Sequence, residues 1–432
     1  MLATLTLGRL AAILAVLLSA CAERRPDAIA PALDLAAESY VRLVLALGER
    51  DSDSLDSYHG PPAWQVEARA RRAALVDIQT AAASLAESLA TSPAGGDELR
   101  RMFLVRQLRA VVTRIDILRG RRPPFAEEAR ALFGVDMPGE AGTDAVSVRA
   151  EIDRLLPGRG DLTTRYAVFD RRFLIAPDRL GPVLTRAIEG CRAATRAQVS
   201  LPAADRVDVE YVADLPWSAF TRYEGGFRSR IRVNAALPVT IDRALDLACH
   251  EAYPGHHTIN SLLEARFGGN RVELLVQPLF SPQSLLHEAA SSLAGALAFS
   301  EAARVEFERD QLFPLAGVDA ADVDRHVRIE RLVDRLQGVQ AGIARRYLDG
   351  ALDFPRAAAA LERDALMPSA DATLMFLNRY RTYAATYSIG RDAASRYLES
   401  RARAGDADSR WRAYVELVTD AAQIVLSEPA RK

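Results

Sequence analysis

The segment from His250 to His257, which reads HEAYPGHH, constrains the fold of this chain more than any other. Proline removes a backbone N–H and clashes with the preceding turn, so a helix that carries His250 must end or kink near Pro254. Six histidines occur in 432 residues and four of them fall within 38 positions, and a glutamate follows both the first and the last of these four. Imidazole and carboxylate groups are usual zinc ligands in proteins. The segment therefore predicts a zinc site at a broken helix.

The histidine spacing gives His250 as one ligand and leaves the second open. On a straight helix, His256 lies roughly 120° from the face of His250, and His257 returns to that face about 10 Å further along the axis. Neither histidine chelates one ion with His250 on such a helix. If the Pro-Gly pair bulges outward, His256 takes the position of an i+4 ligand, but the pattern alone does not choose between His256 and His257. Glu251 is suited to act as general base on a water molecule.

Glu288 is the candidate third ligand. It lies 32 residues after His256, which leaves room for one helix to end and a second helix to present the carboxylate. The apolar face of this second helix consists of Leu285, Leu286, Ala289, Leu293 and Ala296. Two histidines and one glutamate leave a coordination position open, which is typical of catalytic zinc.

These residues resemble a known family. HEAYPGHH is similar to the HExxPGHH signature of the bacterial proteins called domain of unknown function 885, which are grouped with zincin-like metallopeptidases. Residues 231–234 resemble the strand that precedes the metal helix in that family, and residues 387–391 resemble its C-terminal Tyr-x-x-Gly element. Together the similar segments span roughly residues 205–395.

The resemblance implies particular roles for several residues. It favours His256 over His257 as second ligand, because the first histidine after Pro-Gly is the more regular one in the family, and it implies Glu288 as third ligand. It points to Tyr387 and Arg391 as groups that stabilise the oxyanion formed when water attacks a carbonyl. The family continues after its glutamate with Gly-Trp-Ala-Leu-Tyr, whereas residues 289–293 read AASSL here.

The N-terminus predicts a lipoprotein. Residues 1–20 combine one arginine with an apolar run too short to span a bilayer, which is typical of a secretory signal peptide. Residues 18–21 resemble a lipobox, so we expect Cys21 to be lipidated and to anchor the mature chain to a membrane through its acyl groups. Ala22, in place of aspartate, favours the outer membrane of a Gram-negative bacterium, with the protein facing the periplasm.

Helical periodicity dominates the remaining sequence, with apolar stripes that start at Leu75, Leu104 and Trp411. Alternating residues at 207–211 and 227–233, with a Gly-Gly turn before the second run, predict a small hairpin or sheet next to the metal helix. We therefore expect a mainly α, zincin-like metallopeptidase fold. Its predicted parts are a tether at 21–35, a helical region at 36–200 and a metal-binding catalytic region at 201–432, the last two forming one compact unit.

Charge and cysteine content limit the other possibilities. The formal net charge of −2 gives no electrostatic basis for nucleic-acid binding. With Cys21 lipidated, Cys191 and Cys249 are too few for a disulfide framework, and Cys249 is expected to be a small helix-packing residue.

The sequence as a whole favours a zinc-dependent hydrolase with one Zn²⁺ per chain. Its expected substrates are short peptides in the periplasm, and Glu251 is the expected base. The alternative is a lipid-anchored binding or scaffold protein that kept the fold and lost turnover. The altered segment after Glu288 favours this alternative.

Overall fold

The computed structural model of the chain describes residues 29–92, 97–136, 145–215, 217–384, 386–403 and 405–419. The structure is 70% helix and 8% strand, which confirms the mainly α class. The predicted signal peptide and Cys21 lie outside the described residues. In the part of the chain that is described, no helix has the length and apolar character needed to cross a bilayer.

The helices of the first half of the described chain are α1 Ile29–Gly48, α2 Pro62–Arg71, α3 Leu75–Thr91, α4 Glu98–Leu118, α5 Phe125–Phe133, α6 Ala145–Leu155, α7 Leu162–Asp170 and α8 Leu180–Arg196. The helices of the second half are α9 Ile241–Glu251, α10 His256–Phe267, α11 Pro282–Ser291, α12 Ala294–Ala298, α13 Glu301–Phe307, α14 Phe313–Ala316, α15 Val323–Asp334, α16 Gln337–Leu348, α17 Phe354–Ala365, α18 Ala370–Tyr380, α19 Arg391–Arg401 and α20 Ala407–Thr419. Single π-helical turns occupy Glu308–Leu312 and Thr386–Gly390.

The strands are β1 Leu55–Tyr58, β2 Arg206–Val212, β3 Ala219–Gly225, β4 Arg228–Asn234 and β5 Val276–Pro278. Three of them form a sheet of order β2-β4-β3, in which β4 is parallel to β2 and antiparallel to β3. The β3–β4 turn passes through Gly225 and Gly226 at positive φ, which glycine adopts without steric cost. The small sheet expected before the metal helix is therefore present. A second sheet of β1 and β5 was not expected, because strands of four and three residues are too short to show an alternation.

The three apolar stripes read from the sequence lie in the core. Ile78, Leu104 and Trp411 belong to one buried cluster in which α1, α3, α4 and α20 meet. A second buried cluster surrounds α9 and includes side chains from α8 and α15. Burial of these stripes removes apolar surface from water. This contributes roughly 25 cal/mol of favourable free energy per Å² buried and is the main favourable term in folding.

The predicted tether extends too far along the chain. Helix α1 begins at Ile29, so residues 29–35 of the predicted tether are helical, and Leu33 is buried. The reason is that Leu33, Ala36 and Ala37 continue into Tyr40 at helical spacing and pack into the core.

The expectation that Cys249 only packs in a helix is wrong. Cys249 on α9 forms a disulfide bond with Cys191 on α8, and the two Cα atoms are 5.4 Å apart. The two helices pack against each other, and this places the two side chains opposite one another. The pairing joins residues 58 positions apart, so no local pattern indicated it.

Candidate metal centre

The centre is built at the break between α9 and α10. Helix α9 ends at Glu251, and α10 begins at His256 directly after Gly255. A Cβ atom on Gly255 would lie 1.8 Å from the carbonyl oxygen of His250, so only glycine fits in this turn. The Gly255 N–H donates to the carbonyl of Cys249 at 3.0 Å, which closes the turn back onto the end of α9. The Tyr253–Pro254 peptide bond is cis.

This turn brings the rings of His250 and His256 together. Their Nε2 atoms are 3.2 Å apart, although the residues are six positions apart. Helix α11 supplies the third group, with Glu288 Oε2 3.3 Å from His250 Nε2 and Glu288 Oε1 3.2 Å from His256 Nε2. Ligands that surround one zinc ion tetrahedrally, at about 2.0–2.1 Å from it, stand about 3.4 Å from one another. The three residues therefore have the spacing of a shared cation.

The donor chemistry of the three residues fits a zinc ion. Glu288 is buried, and its Oε2 atom has no hydrogen-bond partner among the described residues. Its Oε1 atom accepts a hydrogen bond of 2.7 Å from the Tyr383 hydroxyl, which holds the carboxylate in place. A buried carboxylate oxygen without a donor is costly, and a cation coordinated with two imidazoles would satisfy it.

The electrostatics of the cluster also indicate a site for positive charge. Burial opposes protonation of His256, but the nearby carboxylate of Glu288 outweighs it and raises the pKa of His256 to about 9. Burial opposes ionisation of Glu288, but His256 beside it holds the pKa of Glu288 well below its usual range. The pocket thus stabilises an ionised Glu288 as long as a positive charge lies next to it.

His257, the alternative ligand, lies outside the cluster. It is fully buried, with Nε2 2.6 Å from Asp205 Oδ1 and Nδ1 2.8 Å from the hydroxyl of Ser229. Adjacent residues on a helix point about 100° apart, so His256 and His257 cannot both face the same ion. His257 instead ties the start of α10 to the three-stranded sheet.

Asp205 is the anchor of the turn, and no sequence motif indicated this role. Besides His257, it accepts hydrogen bonds from the Tyr253 hydroxyl at 3.1 Å and from Arg192 at 2.5 Å. Tyr253 and His257 lie on either side of the Pro-Gly pair, so one buried carboxylate fixes both ends of the loop. Its position just before β2, 45 residues upstream of His250, carries no motif.

Glu251 lies next to the cluster without belonging to it. Its buried carboxylate has Oε2 2.7 Å from the Thr221 hydroxyl, and the same hydroxyl is 3.0 Å from the backbone oxygen of Glu251. Thr221 is on β3, so the sheet orients this carboxylate. The position suits a group that acts on a reactant beside the ion.

Asp56 is a further acid of the centre that was missed. It lies on β1, and burial raises its pKa to about 7, with Glu288 and Glu251 adding to the effect and His256 opposing it. The charges of the cluster therefore act on the pKa of Asp56. It is almost 200 residues upstream of His250 in the predicted helical region, and the pairing of β1 with β5, just before α11, helps to bring it here.

Tyr387 lies at the rim of the centre. Its ring centroid is 6.2 Å from that of His250 and 5.7 Å from that of Tyr383, and 36% of the residue is exposed. Gly390 permits this arrangement, because a Cβ there would be 3.1 Å from side-chain atoms of Ala289 and Leu285 on α11. A larger residue at this position would force Ala289 or Leu285 to shift by a few tenths of an ångström.

Arg391 is engaged elsewhere. Its guanidinium lies 3.4 Å from Asp334 on α15.

The altered segment after Glu288 has a packing role, since Ala289 and Ala290 are fully buried in the core. Asp246, four residues before His250 on α9, is paired with Arg304 at 2.7 Å.

Comparison with known proteins shows similarity at the level of fold. No protein-family profile matches this sequence, and no curated protein matches it. A solved structure from Colwellia psychrerythraea, described as a candidate lipoprotein, aligns with a TM-score of 0.50 at 13% identity over 81% of this chain. A candidate lipoprotein of unknown function from Shewanella oneidensis aligns with a TM-score of 0.47 at 13% identity, over 84% of this chain and 75% of its own. This chain spans 65% of the length of the Colwellia protein.

The anchoring role of Asp205 predicts a pH-dependent loss of stability. Burial would raise the pKa of Asp205, but hydrogen bonds from His257 and Arg192 hold it at about 2, below the ordinary 3.8. A depressed pKa gives stability that is present above about pH 4 and lost as pH falls through about 2. We expect Asp205→Asn to lower the free energy of unfolding at pH 7 by about 2 kcal/mol, with the gap between variant and wild type closing between pH 4 and pH 2.

Urea denaturation at a series of pH values measures this gap. Asp208→Asn is the control, because that carboxylate pairs with Arg206 near the surface and should have a small effect. A gap between Asp205→Asn and wild type that stays constant from pH 5 to pH 2 would contradict the assignment.

Proposed function

We propose that this chain is a zinc-dependent hydrolase of the zincin-like type, related to the domain of unknown function 885 proteins that its HEAYPGHH segment resembles. The observation that carries the proposal is the meeting of His250, His256 and Glu288 within 3.2–3.3 Å, with the buried Glu251 beside them. When bound, a zinc ion supplies Lewis-acid activation of water and of a substrate carbonyl.

The residues around this position divide the remaining work. Glu251, oriented by Thr221, takes a proton from the attacking water and passes it to the leaving amine. Tyr387 can donate its hydroxyl proton to the oxyanion from the rim, because it stands over His250 and is partly exposed. Arg391 is held by Asp334, so we assign the oxyanion role to Tyr387. Short peptides in the periplasm are the proposed substrates.

A lipid-anchored binding or scaffold protein is the second candidate. The segment AASSL after Glu288 favours it, since this part of the chain departs from the family pattern. The two candidates differ in turnover and agree on the metal, so metal and activity are tested separately.

The first test concerns the ligand set. We expect His256→Ala to lower the zinc content by about one ion per chain, and His257→Gln to keep the ion, because His257 contacts Asp205 and Ser229 instead of the cluster. Mass-spectrometric metal analysis of the purified variants measures this, with circular dichroism to verify folding. An unchanged zinc content in His256→Ala together with the loss of about one ion per chain in His257→Gln would reverse the assignment.

The second test separates the enzyme from the binding protein. Glu251→Gln keeps size and shape but removes the base, so it should retain zinc and lose at least about 10²-fold in turnover. The assay is cleavage of a short-peptide library followed by mass spectrometry, with and without a chelator. Glu399→Gln, an exposed carboxylate far along the chain, is the matched control. Cleavage that is insensitive to the chelator, or equal in Glu251→Gln and wild type, argues against the hydrolase.

The proposed location is the outer membrane, facing the periplasm, with Cys21 as the lipidated residue. The signal-like N-terminus supports this, and the Colwellia protein of similar fold is described as a candidate lipoprotein. We expect Cys21→Ser to move the protein from the membrane to the soluble fraction, because acyl chains would hold it there. Membrane fractionation measures this. A Cys21→Ser variant that still sediments with the outer membrane would refute the lipid anchor.

A further inference from the structure

A second group of potential metal ligands lies at the other end of α9. Asp170 at the end of α7 and His326 and Glu330 on α15 each offer one ligand atom, and these atoms lie within 4.8 Å of one another. His326 and Glu330 are four residues apart and therefore share one face of the helix. Asp242, in the first turn of α9, lies against the same imidazole.

The imidazole of His326 is buried without a hydrogen-bond partner. The side chain is fully buried, and neither ring nitrogen forms a hydrogen bond with any residue that the structure describes. Its Nε2 atom is 3.7 Å from Asp242 Oδ1 and 3.9 Å from Glu330 Oε1, beyond hydrogen-bonding distance. Asp242 Oδ1 is also buried and unpartnered among the described residues. Buried polar atoms normally have partners, so these three atoms need an explanation.

The orientation of this ring is fixed by packing. The imidazole stacks on Phe173 with 3.7 Å between ring centroids and 19° between planes, and Phe169 packs at 6.2 Å. The ring therefore cannot turn toward solvent to satisfy its nitrogens. A hydrogen bond orients Glu330, because the Tyr166 hydroxyl is 3.2 Å from both of its carboxylate oxygens.

Three carboxylates surround the single imidazole of His326. Asp170 and Glu330 each offer an oxygen within 4.8 Å of a ring nitrogen, and Asp242 Oδ1 lies 3.7 Å from Nε2. Three carboxylates that share one space with a single imidazole favour a bound cation.

The arginine that contacts Asp242 is already engaged. Arg304 donates to Asp246 at 2.7 Å, to Glu308 at 2.8 Å and to the backbone oxygen of Asp242 at 3.1 Å. Its charge is therefore shared with two carboxylates outside the group, and its contact with Asp242 is to the main chain.

We infer that Asp170, Asp242, His326 and Glu330 form a second cation site, which binds a divalent transition metal of the Mn²⁺ or Zn²⁺ class. Donor atoms around such an ion, at about 2.0–2.2 Å from it, stand about 3–4 Å apart, as the 3.7 and 3.9 Å spacings here do. An imidazole among carboxylates selects a transition metal, because Mg²⁺ and Ca²⁺ prefer all-oxygen sites.

The place of the site in the fold indicates a structural role. An ion there would join α7, α15 and the first turn of α9, whose last turn carries His250. Asp242 and His250 are eight residues apart, about 12 Å along the helix axis, so the two sites are separate. The inference does not depend on the proposed hydrolase activity.

The test uses the full chain, stripped with a chelator and then loaded with MnCl₂ or ZnCl₂ alone. We expect two ions per chain in the wild type, one in His250→Ala, one in Glu330→Gln and none in the double variant, as counted by mass-spectrometric metal analysis. Glu330→Gln keeps the shape and the contact with Tyr166 while removing one charge. Asp324→Asn, an exposed acid on the same helix, is the matched control and should keep both ions.

Thermal unfolding gives the second measurement. Without metal, Glu330→Gln should be about as stable as the wild type, because glutamine keeps the size of the side chain and its contact with Tyr166. Added Mn²⁺ should raise the midpoint of His250→Ala and of Asp324→Asn but leave that of the His250→Ala, Glu330→Gln double variant unchanged, since a ligand that binds only the folded state stabilises it.

The outcomes separate this site from the first one. An ion lost in Glu330→Gln and retained in His250→Ala supports the inference even if the first centre binds nothing. A folded Glu330→Gln variant with the same ion count and the same Mn²⁺-dependent midpoint as wild type would overturn it, as would a wild type whose entire metal content disappears in His250→Ala.

Discussion

The contact on which the candidate centre depends is the passage of the Gly255 backbone against the carbonyl of His250. Any side chain at this position would place its Cβ 1.8 Å from that oxygen, so the turn exists only with glycine. Because the turn is this tight, α10 starts close enough to α9 for His256 to meet His250. The buried carboxylate of Asp205 then holds Tyr253 and His257 on both sides of the turn. A loop that would otherwise be free to move thus becomes a fixed ligand frame.

The helix that carries His250 is held at several points, and this gives the site its precision. A disulfide to α8 fixes Cys249, the residue directly before His250. Arg304 donates hydrogen bonds to the Asp246 side chain in the middle of the helix and to the backbone carbonyl of Asp242 in its first turn. These contacts hold the backbone that carries His250 and Glu251, and the Thr221 hydroxyl orients the Glu251 carboxylate.

How far the sequence predicted this arrangement depended on how local each signal was. Pro254 and Gly255 predicted the break in the helix. The three residues predicted as ligands lie close together in the structure, namely His250, His256 and Glu288. Alternation and a Gly-Gly pair located the sheet, and apolar stripes located the core helices. Asp205, Asp56 and the Cys191–Cys249 pair escaped, because each reaches the site through tertiary packing or through strands too short to show a pattern. His326 and Glu330 stand at i and i+4, a visible chelating spacing, but their other partners come from α7 and α9.

The two groups of potential ligands differ in their surroundings and in their exposure to solvent. At the first, Glu288 Oε2 lies 3.3 Å from an imidazole, Tyr387 is partly exposed at the rim, and the carboxylate of Glu251 lies beside the cluster. At the second, the imidazole of His326 is fully buried against aromatic rings, while 21% of the Glu330 side chain is exposed. One helix links them, with Asp242 at its first turn and His250 at its last. Because α9 is one continuous helix between these residues, an ion at its start would help to hold the imidazole at its end in place.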